Sequence, residues 1–259
     1  MPRTARLAAA GDLHYTLSSR GALRRLFAPV RDQADVLLLC GDLTDHGLPE
    51  EAAILAEDLQ SLGMPIVAVL GNHDFESGKA DVVTDTLRRI GVKVLDGDSC
   101  VVNDVGFVGV KGFGGGFGRR ALGPWGEDAI KHFVQEAIDE SMKLERAMAR
   151  LNQDPKVVLL HYAPIQETVV GEALEIYPFL GSTRLEDPIE RYGAVLAVHG
   201  HCHHGSPEGK TRNGTPVYNV AMPLLRSTFA GQAPFRVFEV NIGERASLDT
   251  VLAGPGSGM

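Results

Sequence analysis

The stretch VLLLCGDLTDH, at residues 36–46, joins a short apolar run directly to a glycine and to charged side chains. Such a run suits a strand that is buried on both faces of a sheet. Gly41 lets the backbone turn sharply, and Asp42 then stands at the strand end. The stretch therefore predicts a buried strand whose carboxyl end carries a polar site.

Four further apolar runs end in the same way, each followed at once by polar residues. In open α/β sheets, ligands bind beyond the carboxyl ends of the strands, where the loops converge. We therefore expect these polar clusters to share one rim. The runs and their polar positions are 7–10 with Gly11 and Asp12, 66–70 with Gly71 and Asn72, 157–160 with His161, and 195–198 with the residues from His199 to His204.

Stretches with helical spacing separate the early strands, at residues 22–33, 49–62 and 80–90. The last of these ends at Gly91, as a helix with a glycine cap does. Because strand and helix alternate, the pattern predicts an α/β fold.

The stretch GFGGGFG at residues 112–118 is followed by Arg119 and Arg120. Its glycine content predicts the most flexible segment of the chain, and the two guanidinium groups suit a phosphate. We interpret it as a loop that closes over substrate, although a solvated turn is an equal alternative. The predicted insertion comprises this loop, 112–126, and a charged helix, 127–151.

The chain of 259 residues has 44% hydrophobic and 22% charged residues, which is ordinary globular composition. We expect a single domain over residues 1–252 and a flexible, glycine-rich tail at 253–259. Further strands are predicted at 107–111, 216–220, 235–240 and 247–252.

Charge and composition exclude several classes of protein. A formal net charge of -8 argues against bulk nucleic-acid binding, which needs basic groups. Three cysteines, an odd number, argue against a disulfide framework and favour a reducing, cytoplasmic compartment. No run of apolar residues is long enough for a transmembrane helix.

Several of the polar clusters contain residue types that bind metals. Asp12 and His14 lie two residues apart, so in an extended chain both side chains project to the same side. The run HGHCHH at 199–204 concentrates imidazoles, the commonest metal ligands in proteins. Taken alone, the first pair fits a solvated turn, His161 fits a buried structural histidine, and the run fits a mononuclear zinc or nickel site.

Taken together, the ordered clusters resemble the calcineurin-like metallophosphoesterases across residues 11–204, and within them the class III cyclic nucleotide phosphodiesterase-like group most. This resemblance implies an α/β fold, the metallophosphoesterase four-layer sandwich, in which two mixed β-sheets pack together and are flanked by helices. The clusters are Asp12-x-His14, Gly41-Asp42, Gly71-Asn72-His73-Asp74, His161 and Gly200-His201-x-His203.

The resemblance also implies two transition metal ions, divalent or trivalent, for which the nitrogen and oxygen ligands suit Mn, Fe or Zn. Asp42 bridges the two ions, and Cys202 is expected to pack rather than to bind. The ligands implied are Asp12, His14, Asp42 and His203 for the first ion and Asp42, Asn72, His161 and His201 for the second.

Further roles follow from the same resemblance. His73 is expected beside the phosphate, and the carboxylate of Asp45 is expected to hydrogen-bond to it. Relatives that act on phosphoproteins or dinucleoside tetraphosphates carry arginine where this chain has His46, and lipid A precursor hydrolases usually carry arginine in place of His73. Those substrates are therefore disfavoured. Arg119, Arg120 and His46 are the candidate substrate-binding residues.

The implied reaction is hydrolysis of a small phosphodiester by attack of a metal-bridging hydroxide, with cyclic nucleotides among the candidate substrates. A phosphomonoesterase of the same fold is the alternative, and a non-catalytic metal-binding protein is an alternative of another class. Helix 127–151 leaves open whether the protein is a monomer or a homodimer.

Overall fold

The computed structural model describes residues 3–243 of the chain. The predicted strand 247–252 and the predicted tail 253–259 lie outside the described residues.

Strands and helices alternate over residues 3–94, as the sequence predicts, whereas three strands follow one another at 93–109 and again at 196–219. In chain order the strands are β1 (Arg3–Ala10), β2 (Val36–Cys40), β3 (Ile66–Val69), β4 (Lys93–Val94), β5 (Asp98–Val102), β6 (Val105–Gly109), β7 (Lys156–Leu159), β8 (Leu196–His199), β9 (Glu208–Lys210), β10 (Pro216–Asn219) and β11 (Arg236–Ile242). The α-helices are α1 (Ala22–Leu26), α2 (Val30–Gln33), α3 (Pro49–Gln60), α4 (Ala80–Arg89), α5 (Asp128–Arg150), α6 (Tyr177–Leu180), α7 (Glu186–Arg191) and α8 (Met222–Thr228).

The strands form two mixed sheets. The first has the order β11-β1-β2-β3-β4, and the second has the order β5-β6-β7-β8-β10-β9. In the first sheet β1 to β4 are parallel and β11 is antiparallel to β1. In the second, β6, β7, β8 and β10 are parallel and both edge strands are antiparallel to their neighbours.

The two sheets pack face to face, with helices on their outer faces. Alternate residues of β1 and β2, such as Leu7 and Leu38, share a buried cluster with Phe107 and Val157 of the second sheet. A second cluster covers the other face of the first sheet with α1 to α4. A third covers the outer face of the second sheet with α5 and α7. These four layers confirm the predicted sandwich.

The helix predicted at 22–33 is wrong as a single element. The structure divides it into α1 and α2, with Pro29 as the N-terminal cap of α2. A proline ring disfavours helical backbone in the residue before it, so the first helix ends before that point. The short strands β4, β5 and β9, which lie at or next to sheet edges, were also missed.

The glycine-rich segment is packed, contrary to the expectation of a flexible lid. Residues 114–117 are buried, and the backbone N–H of Gly112 donates to the Glu140 carboxylate at 2.8 Å. A Cβ on Gly114 would lie 2.5 Å from the carbonyl oxygen of Pro178. The glycines therefore allow two backbones to approach closely. Helix α5, predicted as an insertion, connects the parallel strands β6 and β7 and covers the second sheet.

Candidate metal centre

The polar loops predicted to share a rim do converge, at the carboxyl ends of parallel strands from both sheets. The loops after β1, β2 and β3 meet those after β7 and β8 there. Three sets of side chains bring their ligand atoms within 4.8 Å of one another: a first group of Asp12, His14 and His203, a second group of Asp42, His161 and His201, and a third set of His14, Asp45 and His73 that shares His14 with the first.

Asp42 lies between the two groups. Its Oδ1 is 3.4 Å from Nε2 of His161, and its Oδ2 is 3.9 Å from Nε2 of His14. The amide oxygen of Asn72 joins the second group, 2.9 Å from Nε2 of His161. One carboxylate therefore presents a separate oxygen to each group.

Backbone carbonyls orient the imidazoles of the second group. His161 donates from Nδ1 to the carbonyl of Cys40 at 3.0 Å, and His201 donates from Nε2 to the carbonyl of Phe179 at 3.2 Å. These partners assign the tautomers and leave the other ring nitrogen of each histidine unprotonated. Burial, together with the charge of His161, lowers the pKa of His201 to about 3. Its imidazole is therefore neutral, the form that binds metals.

Carboxylates orient the first group. Nε2 of His203 lies 3.0 Å from Oδ1 of Asp12, and Nδ1 of His14 lies 3.2 Å from Oδ1 of Asp45. Burial alone would raise the pKa of Asp12, but the hydrogen bond from His203 and the nearby histidine charges lower it. The backbone N–H of His201 also donates to Asp12 at 3.0 Å, which links the two groups.

The side chains present fit metal ions. Nε2 of His14 is buried and has no hydrogen-bond partner among the described residues, although it faces Asp42. An unpaired buried ring nitrogen is costly unless something binds it. Imidazoles, carboxylates and an amide oxygen form the mixed donor set that transition metals prefer.

The backbone is unusual where it presents these side chains. Asp12, His14, Asp42 and His201 have φ of 57°, 45°, 47° and 69°, which non-glycine residues rarely adopt. Glycines precede three of the loops for a steric reason. A Cβ on Gly41 would lie 2.4 Å from Nδ1 of His161, so the ligand itself occupies that space.

Asp74, the last residue of the Gly-Asn-His-Asp motif, was assigned no role from the sequence. Its buried carboxylate accepts hydrogen bonds from the backbone N–H groups of Leu43, Thr44 and Gly71, at 3.1, 2.8 and 2.8 Å. It therefore ties the loop after β2 to the loop after β3. The sequence signal for Asp74 is its position at the end of the Gly-Asn-His-Asp motif.

The structure brings the Asp45 carboxylate within 4.8 Å of a ring nitrogen of His73, but the predicted hydrogen bond between them is not formed. The structure gives His73 Nδ1 the backbone carbonyl of Asp45, at 2.7 Å, whereas the carboxylate contacts His14 and His46. The reason is the backbone of Asp45, whose N–H donates to the carbonyl of Tyr15 at 3.1 Å. That pairing holds the loop after β2 against the loop after β1, which carries His14.

His73 borders the first group, its ring edge-to-face with His14 at 4.6 Å between centroids. Burial lowers the pKa of His73, but the hydrogen bond to the Asp45 carbonyl and the charges of Asp42, Glu76 and Asp45 raise it above its ordinary value.

The histidine run divides into residues with different surroundings. His201 and His203 reach the site, while His204 is exposed. His199 is buried, with Nε2 2.8 Å from the hydroxyl of Thr168, and burial lowers its pKa to about 4. The predicted packing role of Cys202 is confirmed, since it is buried in an apolar cluster.

The three candidate substrate-binding residues do not gather at the rim. His46 is half-exposed beside Asp45 and is also held 3.3 Å from the carboxylate of Glu51. Arg119 and Arg120 lie exposed in a short 3-10 turn. Arg119 lines a separate cleft of about 790 Å³, and no candidate metal ligand lines that cleft.

Comparison with known proteins identifies the class that this fold and site define. Residues 5–205 match the calcineurin-like phosphoesterase family, which is more than half of the chain. The chain therefore belongs to the calcineurin-like phosphoesterases, hydrolases that act on phosphoric ester bonds and use divalent metal ions.

Individual relatives are more distant. UDP-2,3-diacylglucosamine hydrolase of Salmonella typhi is 23% identical over 238 residues, covering 82% of this chain and 87% of the relative. A probable cyclic nucleotide phosphodiesterase of Synechococcus is 36% identical over 73 residues, covering 24% and 29%. Among solved structures, phosphopantetheinyl hydrolase from Mycobacterium tuberculosis has a TM-score of 0.66 at 16% identity, covering 90% of this chain and 95% of the other.

None of the described helices combines the length and the apolar character needed to cross a membrane. The three cysteines are all free.

Proposed function

We propose that the protein hydrolyses phosphodiesters at a dinuclear metal centre. In this proposal Asp12, His14, Asp42 and His203 hold one ion, and Asp42, Asn72, His161 and His201 hold the other. The observation that carries it is the position of Asp42, whose two oxygens face the two ligand groups separately. A mononuclear site would need only one of these groups.

The two ions, when bound, supply positive charge that stabilises the phosphate and lowers the pKa of a water molecule. The remaining chemistry belongs to side chains. His73 donates from Nδ1 to the Asp45 carbonyl, so Nε2 carries the second proton when the ring is charged. Burial lowers the pKa of His73, but the hydrogen bond to the Asp45 carbonyl raises it and favours that charged form. We assign Nε2 of His73 the transfer of this proton to the leaving oxygen.

In this proposal the Asp45 carboxylate positions His14, a ligand of the first ion. By accepting from Nδ1 of His14, it fixes the ring so that Nε2 faces Asp42. One residue thus positions His73 through its carbonyl and His14 through its side chain.

The substrate class rests on sequence features and on relatives. The Gly-Asp-Leu-Thr-Asp and Gly-Asn-His-Asp motifs resemble the cyclic nucleotide phosphodiesterase-like group, and one curated relative carries that name over a 73-residue match. The relatives that match most of the chain are UDP-2,3-diacylglucosamine hydrolases. We therefore propose phosphodiester hydrolysis as the class, with cyclic nucleotides as the first substrates to test.

The test is an assay with Mn²⁺ on four substrates side by side: bis(p-nitrophenyl) phosphate, p-nitrophenyl phosphate, 2′,3′-cyclic AMP and 3′,5′-cyclic AMP. Faster turnover of the diesters supports the proposal. A strong preference for p-nitrophenyl phosphate would replace it with a phosphomonoesterase. Metal analysis accompanies the assay, and fewer than two equivalents per chain after loading would contradict the dinuclear centre.

A further inference from the structure

Lys111 stands at the metal-site rim and has no part in the proposed chemistry. It lies two residues beyond β6, the parallel strand beside β7. The end of the neighbouring strand β7 supplies the candidate ligand His161, whereas the end of β6 supplies the ammonium group of Lys111. The backbone carbonyl of Lys111 accepts hydrogen bonds from the N–H groups of His161 and Tyr162, at 3.0 and 3.1 Å. The residue is thus fixed directly beside a candidate ligand.

The side chain of Lys111 is surrounded by three aromatic rings, two of which belong to loops that carry the site. Nζ lies 5.6 Å from the ring centroid of Phe75, 4.9 Å from that of Phe113 and 5.4 Å from that of Tyr162. Phe75 ends the 3-10 turn that begins at His73, and Tyr162 stacks at 4.5 Å on His201. The ammonium therefore sits between the loop after β3 and the loop after β7.

The charge of Lys111 is not neutralised by an ion pair within residues 3–243. Nζ donates to the carbonyl of Gly112 at 2.8 Å, which uses one of its three protons. The nearest acid along the helix face, Glu140, is already bound by Lys143 at 2.7 Å and by the N–H of Gly112. The charges of Glu140, Glu136 and Asp96 offset part of the cost of burying this ammonium, and its two remaining donors can bind an added anion.

A cavity opens beside this ammonium group. It measures about 270 Å³ and is lined by Lys111, by Leu70 and Phe75 on either side of the ligand loop, and by Leu95. Its outer edge carries the exposed Asp81 and Asp85 of α4, along with Asp96 and Arg88. None of the described residues that line this cavity is a candidate metal ligand, but Lys111 and Phe75 give its end beside the ligand loop one cation and an aromatic wall, with room for a small substituent.

We propose that Lys111 is a specificity-determining residue whose ammonium binds an anionic group that the substrate carries beside the reacting phosphate. This inference rests on the proposed phosphodiesterase function. The substrate class becomes a phosphodiester with a second small anion, such as a carboxylate or a further phosphate, on one of its two alcohols. The carbonyl of Gly112 and the three rings hold the ammonium in place for that group.

The test uses three p-nitrophenyl phosphodiesters of similar size that differ in the charge of the second alcohol, which is glycolate, ethanol or choline. The wild type should prefer the anionic ester to the neutral one and the neutral one to the cationic one. Lys111→Met should lower kcat/KM for the glycolate ester by about tenfold, the order expected for one charge-assisted contact, mainly through KM. It should leave the ethyl ester nearly unchanged and improve the choline ester.

Two variants serve as controls. Lys131→Met removes an exposed cation of α5 that pairs with Asp128, so the preference among the three esters should persist. Lys111→Arg keeps the charge and should keep the order of preference. If Lys111→Met slows all three esters equally, the residue only supports the loops and the proposal fails.

The affinity for each of the three esters, measured by calorimetry, tests the role of Lys111 independently of whether the esters are hydrolysed. If the wild type hydrolyses none of them, the proposed function fails, while tighter binding of the glycolate ester that disappears in Lys111→Met still supports the role of Lys111. Equal binding of the three esters to the wild type overturns it.

Discussion

The two ligand groups differ in how they are held. In the second group Asp42 and His161 are buried, and backbone carbonyls of Cys40 and Phe179 orient its histidines. In the first group His14 and His203 are half-buried, and both are oriented by carboxylates. Backbone carbonyls are fixed by the strands and loops, whereas carboxylate side chains can rotate. We therefore expect the second group to be the more rigid and the tighter metal site.

Asp42→Ala is the strongest test of this comparison, because Asp42 is a proposed ligand of both ions. Removing it should lower kcat/KM by about a thousandfold or more, since the metal ions contribute several kcal/mol of charge stabilisation. Metal content, measured by atomic emission after loading, should fall from about two equivalents toward zero. His203→Ala, which touches only the first group, should retain about one equivalent. Equal metal loss in both variants would show that the two ligand groups do not bind their ions independently.

His73→Ala separates chemistry from metal binding. This change removes the proposed proton donor and should lower kcat by about a hundredfold, within the range typical of general acids. Metal content should remain near that of the wild type, because His73 belongs to neither the first nor the second group. Metal loss in this variant comparable to that in Asp42→Ala would place His73 among the ligands.

Gly41→Ala should disturb the second group through packing alone. Its new Cβ would lie 2.4 Å from the His161 ring, so His161 has to move. Gly78→Ala is the matched control, because Gly78 also has positive φ, 70° against 81°, but has no atom within 4 Å of the new Cβ. We expect Gly41→Ala to cost about 2 kcal/mol more than the control in the free energy of unfolding, the usual range for overpacking. Urea denaturation of both variants measures the difference, and equal stabilities would contradict the close approach.

Asp45→Ala should weaken only the first group. The variant keeps the backbone carbonyl that binds His73 and loses the carboxylate that orients His14, so metal affinity in the first group should fall by about tenfold. In a chelator titration one equivalent should leave earlier than in the wild type, while the second leaves at the same chelator concentration. If both equivalents leave earlier, Asp45 supports more than His14.

Cys202→Ala is expected to have the smallest effect. Cys202 lies between His201 and His203 in sequence, but its side chain is buried against Phe117, Ala163 and Leu180. Losing it should cost about 1 kcal/mol of stability and leave the metal content unchanged. Loss of metal would show that the thiol binds an ion after all.

Much of the site was predictable because its residues follow strands that are apolar enough to be recognised. Five short runs, each ended by a polar cluster, were sufficient to predict an α/β fold and the convergence at one rim, and the family resemblance of those clusters implied the sandwich. The short strands β4 and β9 carry too few apolar residues to be detected. The end of the first helix before Pro29 was predictable, because proline disfavours helical backbone in the residue before it.

The features of the site that the sequence did not predict depend on which atom of a residue makes a contact. Sequence shows that Asp45 is near the site, but only the backbone pairing with Tyr15 decides that its carbonyl meets His73. The glycines at 112–118 look flexible in sequence, and the structure uses them for close contact with the Pro178 backbone. Asp74 and Lys111 were missed for the same reason, since their partners are backbone groups and rings from distant loops.

The left-handed backbone at Asp12, His14, Asp42 and His201 has a consequence for how this protein can be altered. Each such residue costs on the order of 1 kcal/mol relative to glycine, so these positions trade folding stability for function. Glycine at His14 or His201 would relieve the strained backbone but remove a candidate metal ligand, whereas glycine at Asp12 or Asp42 would also leave backbone N–H groups without their acceptor. Thermostable variants that still work must instead gain their stability elsewhere, in the helical layers.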